Sequence, residues 1–264
     1  MEKLLTNSLP PKPYLQIRRL KFKMTQPEAF ELLQDKRRIC TETSFSYKPL
    51  DDTQSIFIHV PKCAGVSITK VLYGNLAGGH TTLDGYLNIF EPSEILSYFK
   101  FAFVRNPWDR LVSAFHFLKA GGLNSQDKNW SDRNLQEFSE FNDFVRRWLN
   151  KDNIWKYHHF HPQCHYVRDP HNKVTLDFIG LFENLDNDFA YVAKRLEKDS
   201  ALPKVNASSR KDYRTYYNDE TRKIVEDVYA QDIGFLGYSF DNSSVKSQIQ
   251  SRTVSNGSVV VDRS

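Results

Sequence analysis

Two short basic stretches carry residue types that could hold an anion. The first is Pro61-Lys62-Cys63-Ala64-Gly65-Val66-Ser67. Ala64 and Gly65 are small enough to let the backbone approach a ligand closely. Lys62 supplies a mobile positive charge and Ser67 a hydroxyl donor. If a helix begins here, its first N–H groups point at the anion and its dipole favours negative charge. The stretch lacks G-x-x-x-x-G-K-[ST], and its lysine stands near the start of the turn, so it is not a loop built for a metal-bound nucleotide. The bland alternative is an ordinary strand-to-helix turn with a chance lysine. The second stretch, Phe103 to Phe115, contains Arg105, Asn106, Pro107, Arg110 and Ser113. An arginine there can grip a phosphate with two parallel hydrogen bonds, and Ser113, two helical turns further on, can add a third. Its alternative is a helix-capping ion pair between Arg105 and Asp109.

The surrounding pattern places both stretches where a ligand could reach them. Ser55 to Val60 is a short β-rich apolar run of the kind that forms a buried strand, and Lys100 to Val104 is a second. Gly65 to Tyr73 reads as a helix with Gly74 as its stop. Asn106-Pro107 reads as an N-cap with proline at the first helical position, opening a helix to about Lys119 that Gly121 and Gly122 end. Leu135, Phe138, Phe141, Val145, Trp148 and Leu149 recur at helical spacing. Residues 174–181 predict a third strand, 186–196 a helix, and 219–230 a last helix stopped near Gly234. Such alternation argues an α/β fold with a mainly parallel sheet flanked by helices, which binds ligands beyond the carboxyl ends of its strands. Residues 1–50 read as a polar N-terminal arm with a short helix at 26–34, residues 51–240 as the functional domain, and residues 241–264 as a disordered tail.

Histidine is the side chain suited to proton transfer near neutral pH. His80 follows Gly78-Gly79 after the first helix. His116 lies three residues beyond Ser113 and so shares a helix face with it. The run His158-His159-Phe160-His161-Pro162-Gln163-Cys164-His165 matches no zinc spacing and reads as substrate contact or packing, so no metal is expected. Cys63, although beside a lysine, reads as a small loop filler rather than a nucleophile.

Bulk properties narrow the partners. The 264 residues suit one large domain, and a net charge of +4 with pI near 8.8 fits a local basic pocket better than a nucleic-acid-coating surface. Three cysteines are no disulfide framework. No apolar run has the length of a signal peptide or membrane span, which predicts a soluble, cytoplasmic chain. N-x-[ST] sequences at Asn129, Asn206, Asn242 and Asn256 carry little meaning without a secretory leader.

Taken together, the two basic stretches resemble the nucleotide signature of the PAPS-dependent sulfotransferases, most closely the carbohydrate (family 2 type) members. Pro61 to Ser67 is similar to that family's Pro-Lys-x-Gly-Gly-Thr-Ser loop, with Ala64 in place of a glycine and Val66 in place of the common threonine. Arg105, Asn106, Pro107, Arg110 and Ser113 match its Arg-Asn-Pro-x-x-Arg-x-x-Ser motif in full. Phe182-Glu183-Asn184-Leu185, Leu202 to Asn206, and Tyr229 to Phe240 extend the likeness over about residues 56–240. The resemblance implies a P-loop-NTPase-like sulfotransferase fold that moves a sulfuryl group from 3'-phosphoadenosine-5'-phosphosulfate (PAPS; product PAP) to a hydroxyl, by the same resemblance that of a carbohydrate, without a metal. It implies that Pro61 to Ser67 hold the 5'-phosphosulfate, that Arg105 and Ser113 hold the 3'-phosphate, and that Ser208, Arg210 and Lys211 close over the nucleotide. Lys62 is then the catalytic cation and His80 the base, with His116 as runner-up. Two other readings stay open: a nucleotide or nucleoside kinase, and a non-catalytic PAP-binding module.

Overall fold

In the computed structural model, residues 9–40, 45–199, 201–202, 211–250, 253–255 and 258–260 are described. Three parallel strands form the central sheet: β1 (Ser55–Ile58), β2 (Phe99–Val104) and β3 (Phe178–Leu181), in that spatial order. Ile58 pairs with Ala102, and Val104 with Leu181, so the carboxyl ends of all three strands lie on one edge. The run of Ile, Phe, Val and Leu explains this. Residues of β1 and β3 are buried on both faces, as a parallel sheet covered by helices requires. Gly180 is the one small residue in β3, and a Cβ there would lie 2.4 Å from the Phe103 ring. The α/β expectation with a parallel sheet therefore holds.

Helices α1 (Pro11–Thr25), α2 (Pro27–Arg38) and α3 (Lys48–Asp52) precede β1. Between β1 and β2 come α4 (Gly65–Tyr73), α5 (Leu83–Ile89) and α6 (Pro92–Ser97). Between β2 and β3 come α7 (Pro107–Lys119), α8 (Ser125–Asn134), α9 (Phe141–Arg147) and α10 (Gln163–Val167). Helices α11 (Leu185–Arg195), α12 (Asp219–Val228), α13 (Ala230–Leu236) and α14 (Ser243–Gln250) follow β3. A small antiparallel pair, β4 (Thr253–Ser255) with β5 (Ser258–Val260), ends the described chain.

Several boundaries differ from expectation. The helix expected at 26–34 is present and runs to Arg38, preceded by a second helix, Pro11–Thr25. Tyr14, Leu15 and Phe30 are buried, and Arg37 bonds both Asp51 and Glu94 at 2.7 and 2.9 Å, tying α2 to the domain. Residues 243–250, expected as disordered tail, form α14 with Val245 buried. Of the apolar stripe 135–149 only Phe141–Arg147 is helical; Leu135 and Phe138 are buried from outside that helix, because burial rewards apolar contact whatever the local backbone. The last predicted helix is broken at Tyr229 into α12 and α13, ended by Gly237 at φ +68°.

Two apolar clusters result. One surrounds the sheet and reaches α1; the other lies between α7, α9, α12 and the segment 154–160. The edge of β1 and the first turn of α4 meet very closely. A Cβ on Gly65 would stand 1.9 Å from the His59 ring, so only glycine allows the helix to start there. Gly65→Ala is expected to lower unfolding free energy by about 1–3 kcal/mol through this overlap, measured by urea denaturation, and an unchanged midpoint would show that the ring relocates at no cost.

Candidate functional site

The turn after β1 is conformationally unusual. Lys62 and Ala64 both adopt left-handed backbone, with φ +70° and +63°. For residues with a Cβ this costs about 1–2 kcal/mol each, and such strain persists where surrounding contacts over-determine the chain. Ala64 is the N-cap of α4. The first N–H groups of α4 have no partner inside the helix, the arrangement at which a helix terminus can receive an anion. Pro61 and Cys63 are buried, whereas Lys62, Ala64, Val66 and Ser67 are half-buried around the same terminus. The Lys62 ammonium lies 3.5 Å from the centre of the Phe117 ring, a cation–π contact that holds it beside α7. Burial pushes the Cys63 thiol up to about 12, which disfavours its thiolate form.

The turn after β2 touches the first directly. Arg105 donates from Nη1 to the Lys62 carbonyl at 3.1 Å and from Nε to Asp109 at 2.7 Å, and its guanidinium covers the Phe182 ring at 3.8 Å. The Asp109 ion pair weighed as an alternative role for Arg105 is thus present; the same guanidinium also binds the lysine turn. Ser113 is half-buried on α7. Asn106 caps α7 by accepting from Trp108 N–H at 3.0 Å, and its amide donates to Ser239 and Asn242. Glu183 accepts from Asn106 N–H at 2.7 Å and from the Tyr238 hydroxyl at 2.8 Å; burial raises its pKa despite these bonds. Arg110 is buried, and its guanidinium is taken up by the histidine segment. It donates to the carbonyls of His159 and His161 at 3.2 and 2.6 Å.

Gln163 joins the two turns, and sequence reasoning passed over it. Its Oε1 accepts from Arg105 N–H at 2.9 Å and from the Cys63 thiol at 3.5 Å, while its Nε2 donates to the Arg105 carbonyl at 2.7 Å. Asp232, fully buried, receives the N–H groups of Gln163 and Cys164 at 2.7 and 2.8 Å. The signal present in the sequence was the His-Pro-Gln run, but its partners lie 58 and 100 positions away.

Beside Lys62, four imidazoles gather. His80 approaches His59 at 4.3 Å between ring centres, His158 at 5.0 Å and His159 at 6.0 Å. Its Nδ1 lies 3.1 Å from the His59 carbonyl, so the tautomer that donates there leaves Nε2 as the basic nitrogen. Gly78 and Gly79, at φ +77° and +52°, make the turn that delivers it; a Cβ on Gly78 would sit 2.1 Å from the Tyr86 hydroxyl. Desolvation by the protein packed around His80 lowers its pKa, although the residue is exposed. Burial also depresses His158 to about 3 and His159 to about 4, and holds His59 well below the usual imidazole range. Asp127, at the first turn of α8, faces the group. Burial would raise its pKa, but hydrogen bonds from His159, Tyr157 and Leu123 prevail and hold it low. His116 lies elsewhere, its ring 4.9 Å from that of Tyr216. Lys211 is exposed just before Tyr213, and Ser208 and Arg210 lie outside the described residues.

The structure therefore unites the lysine turn, the arginine turn and His80, and leaves His116 apart. The class defined by this fold is α/β, a parallel sheet flanked by helices with two joined basic turns on its carboxyl edge. Residues 47–239 match the model of the sulfotransferase family, and the chain belongs to that family. It is 24% identical over 236 residues to carbohydrate sulfotransferase 14 of Danio rerio, covering 74% of this chain and 63% of that protein. The chain thus spans less than two thirds of that relative's length. It is 36% identical over 121 residues to an uncharacterized protein of Archaeoglobus fulgidus, covering 44% of this chain and 83% of that one. No solved structure matches. Among the described residues no helix is long and apolar enough to cross a membrane.

Two outcomes follow from this geometry. Gln163→Ala strands the Arg105 N–H and carbonyl in a buried place, and unfolding free energy is expected to fall by about 2–4 kcal/mol, with Gln163→Glu in between because it restores the acceptor only; a loss below the error of the urea measurement would deny the clasp. In chelator-containing buffer, His59 and His159 bind protons in the unfolded chain near pH 6.5 but in the folded chain only at lower pH. The unfolded state then holds more protons, so stability should decline as pH drops below about 6.5, by about 1.4 kcal/mol per pH unit for each group; denaturation midpoints from pH 7 to 5 check the sign.

Proposed function

We propose that the chain transfers a sulfuryl group from PAPS to a hydroxyl of a carbohydrate or related small acceptor. The observation that carries this reading is the direct bond between the two basic turns, Arg105 to the Lys62 carbonyl, with His80 packed against His59 beside them. A donor with phosphate at two ends of an adenosine needs two adjacent anion grips on one sheet edge. The turn Pro61, Lys62, Cys63, Ala64, Gly65, Val66 and Ser67 offers one through the amino end of α4, with Lys62 half-buried within reach. Arg105 and Ser113 offer the second, with Lys211 and the Ser208–Arg210 stretch as further nucleotide contacts.

PAPS supplies the sulfuryl group with a phosphate as its leaving group. Lys62 neutralises negative charge that grows on that phosphate, an interaction stronger in the transition state than before it, and hence catalytic. His80 takes the proton of the acceptor hydroxyl at Nε2. Its lowered pKa keeps the imidazole neutral, and so competent as a base, at pH 7. His158, half-buried next to it, provides a hydrogen-bonding and stacking group that suits a polyhydroxylated acceptor.

Radiolabelled PAPS incubated with a panel of carbohydrate and phenolic acceptors tests this. Lys62→Ala and His80→Ala are each expected to cut transfer by about a hundredfold or more with the circular dichroism spectrum retained, and Arg105→Ala to weaken PAP binding in calorimetry. Binding of Mg-ATP in preference to PAP would point instead to a kinase, and PAP binding without any transfer to a non-catalytic module.

A further inference from the structure

We propose that Asp127, His158 and His159 form a site for one divalent cation of the zinc class, at the edge of the histidine cluster beside His80. Each contributes a ligand atom, and these atoms lie within 4.8 Å of one another. The His159 Nε2 to Asp127 Oδ1 distance is 3.4 Å. That is long for a charge-assisted hydrogen bond, usually about 2.7–2.9 Å. It matches the edge of a tetrahedron whose bonds are about 2.0–2.1 Å, an edge of about 3.3 Å.

The trio is arranged before any ion arrives. Tyr157 donates to Asp127 Oδ1 at 2.6 Å and Leu123 N–H to Oδ2 at 2.8 Å, contacts of the kind that orient a ligating carboxylate. Arg110 holds the His159 carbonyl at 3.2 Å, and the Tyr166 hydroxyl holds that of His158 at 2.9 Å, which fixes the backbone from which both rings project. His159 is buried, and its Nε2 is the nitrogen that faces Asp127. His158 is half-buried, its ring packed against those of Tyr157, His159 and His80.

The donor set chooses the metal. Two imidazoles and one carboxylate suit zinc, whereas magnesium and calcium take chiefly oxygen ligands. Three protein ligands leave a fourth position for water or a hydroxyl, the open form of a zinc site. One dication with one carboxylate carries net positive charge, which adds to that of Lys62 and strengthens the field for an anion rather than cancelling it. The sequence hid this site because Asp127 comes from another helix, 31 positions before His158.

The full chain, stripped with chelator and dialysed, is titrated with zinc chloride by calorimetry and with cobalt(II) by visible absorbance, with no sulfuryl donor present. One ion per chain is expected, with the intense bands of four-coordinate cobalt. His158→Ala, at the open side of the site, and His159→Gln should each weaken binding by about tenfold or more with the far-ultraviolet spectrum unchanged, while His165→Ala, an exposed ring outside the trio, should bind as the parent does. Absence of saturable binding, or equal affinity in His158→Ala and the parent, overturns the proposal. PAP binding measured on the same metal-free samples reports on the donor reading by itself, so the two can fail separately.

Discussion

The amide of Gln163 sits where three segments of the chain would otherwise part. An amide side chain offers one acceptor and two donors, and here it meets the Arg105 N–H, the Arg105 carbonyl and the Cys63 thiol in a place closed to water. Each of those backbone groups is an obligatory hydrogen-bonding partner, costly if left alone. The turn after β2 has left the ladder of the sheet, so only a side chain can satisfy them. Asp232 fixes Gln163 in turn through two backbone N–H groups. The spacing between the lysine turn and the arginine turn, which any two-phosphate ligand would have to match, is set by this clasp together with the Arg105 bond to the Lys62 carbonyl.

Around that frame the charges follow one logic. Arg110 is spent on two carbonyls of the histidine segment, not on a ligand, and so holds that segment against α7. The segment carries His158 and His159 up to His80, and four imidazoles crowd within a few ångströms. Mutual repulsion and loss of water both disfavour their cationic forms, so the cluster is neutral at pH 7 and the positive charge at this edge belongs to Lys62 and Arg105. Aromatic rings hold both of these cations, Phe117 under Lys62 and Phe182 under Arg105, which keeps their side chains from ranging widely at little cost in desolvation.

The strain in the lysine turn belongs to the same arrangement. Two left-handed residues turn the chain sharply between β1 and α4, and Gly65 lets the helix begin against the His59 ring. Ala64 takes the left-handed conformation although it carries a Cβ; the fully buried residues on either side, Cys63 and Gly65, leave the backbone no wider path. The first two helices join the main core through Tyr14 and Leu15 and are tied to the domain by the Arg37 bonds to Asp51 and Glu94.

The sequence by itself determined the local elements and the two turns. Short β-rich apolar runs bounded by turn signals favour buried strands, an Asn-Pro pair can open a helix, and a lysine or arginine between such a strand and such a helix lies near the helix terminus. These are effects of neighbours in the chain, and their period and chemistry are visible in order. Tertiary structure alone decided what depends on distance across the fold: that Gln163 bridges Cys63 and Arg105, that Arg110 serves the histidine segment, that His80 rather than His116 joins the cluster, and that Asp127 faces His158 and His159. It also decided that Pro11–Thr25 and Ser243–Gln250 pack as helices and that the helix read at 26–34 runs on to Arg38, because a weakly apolar stripe becomes worth burying only when a surface is present to receive it. Hydrogen bonds and burial between segments tens of residues apart leave no period in the sequence, and only the folded chain brings them into contact.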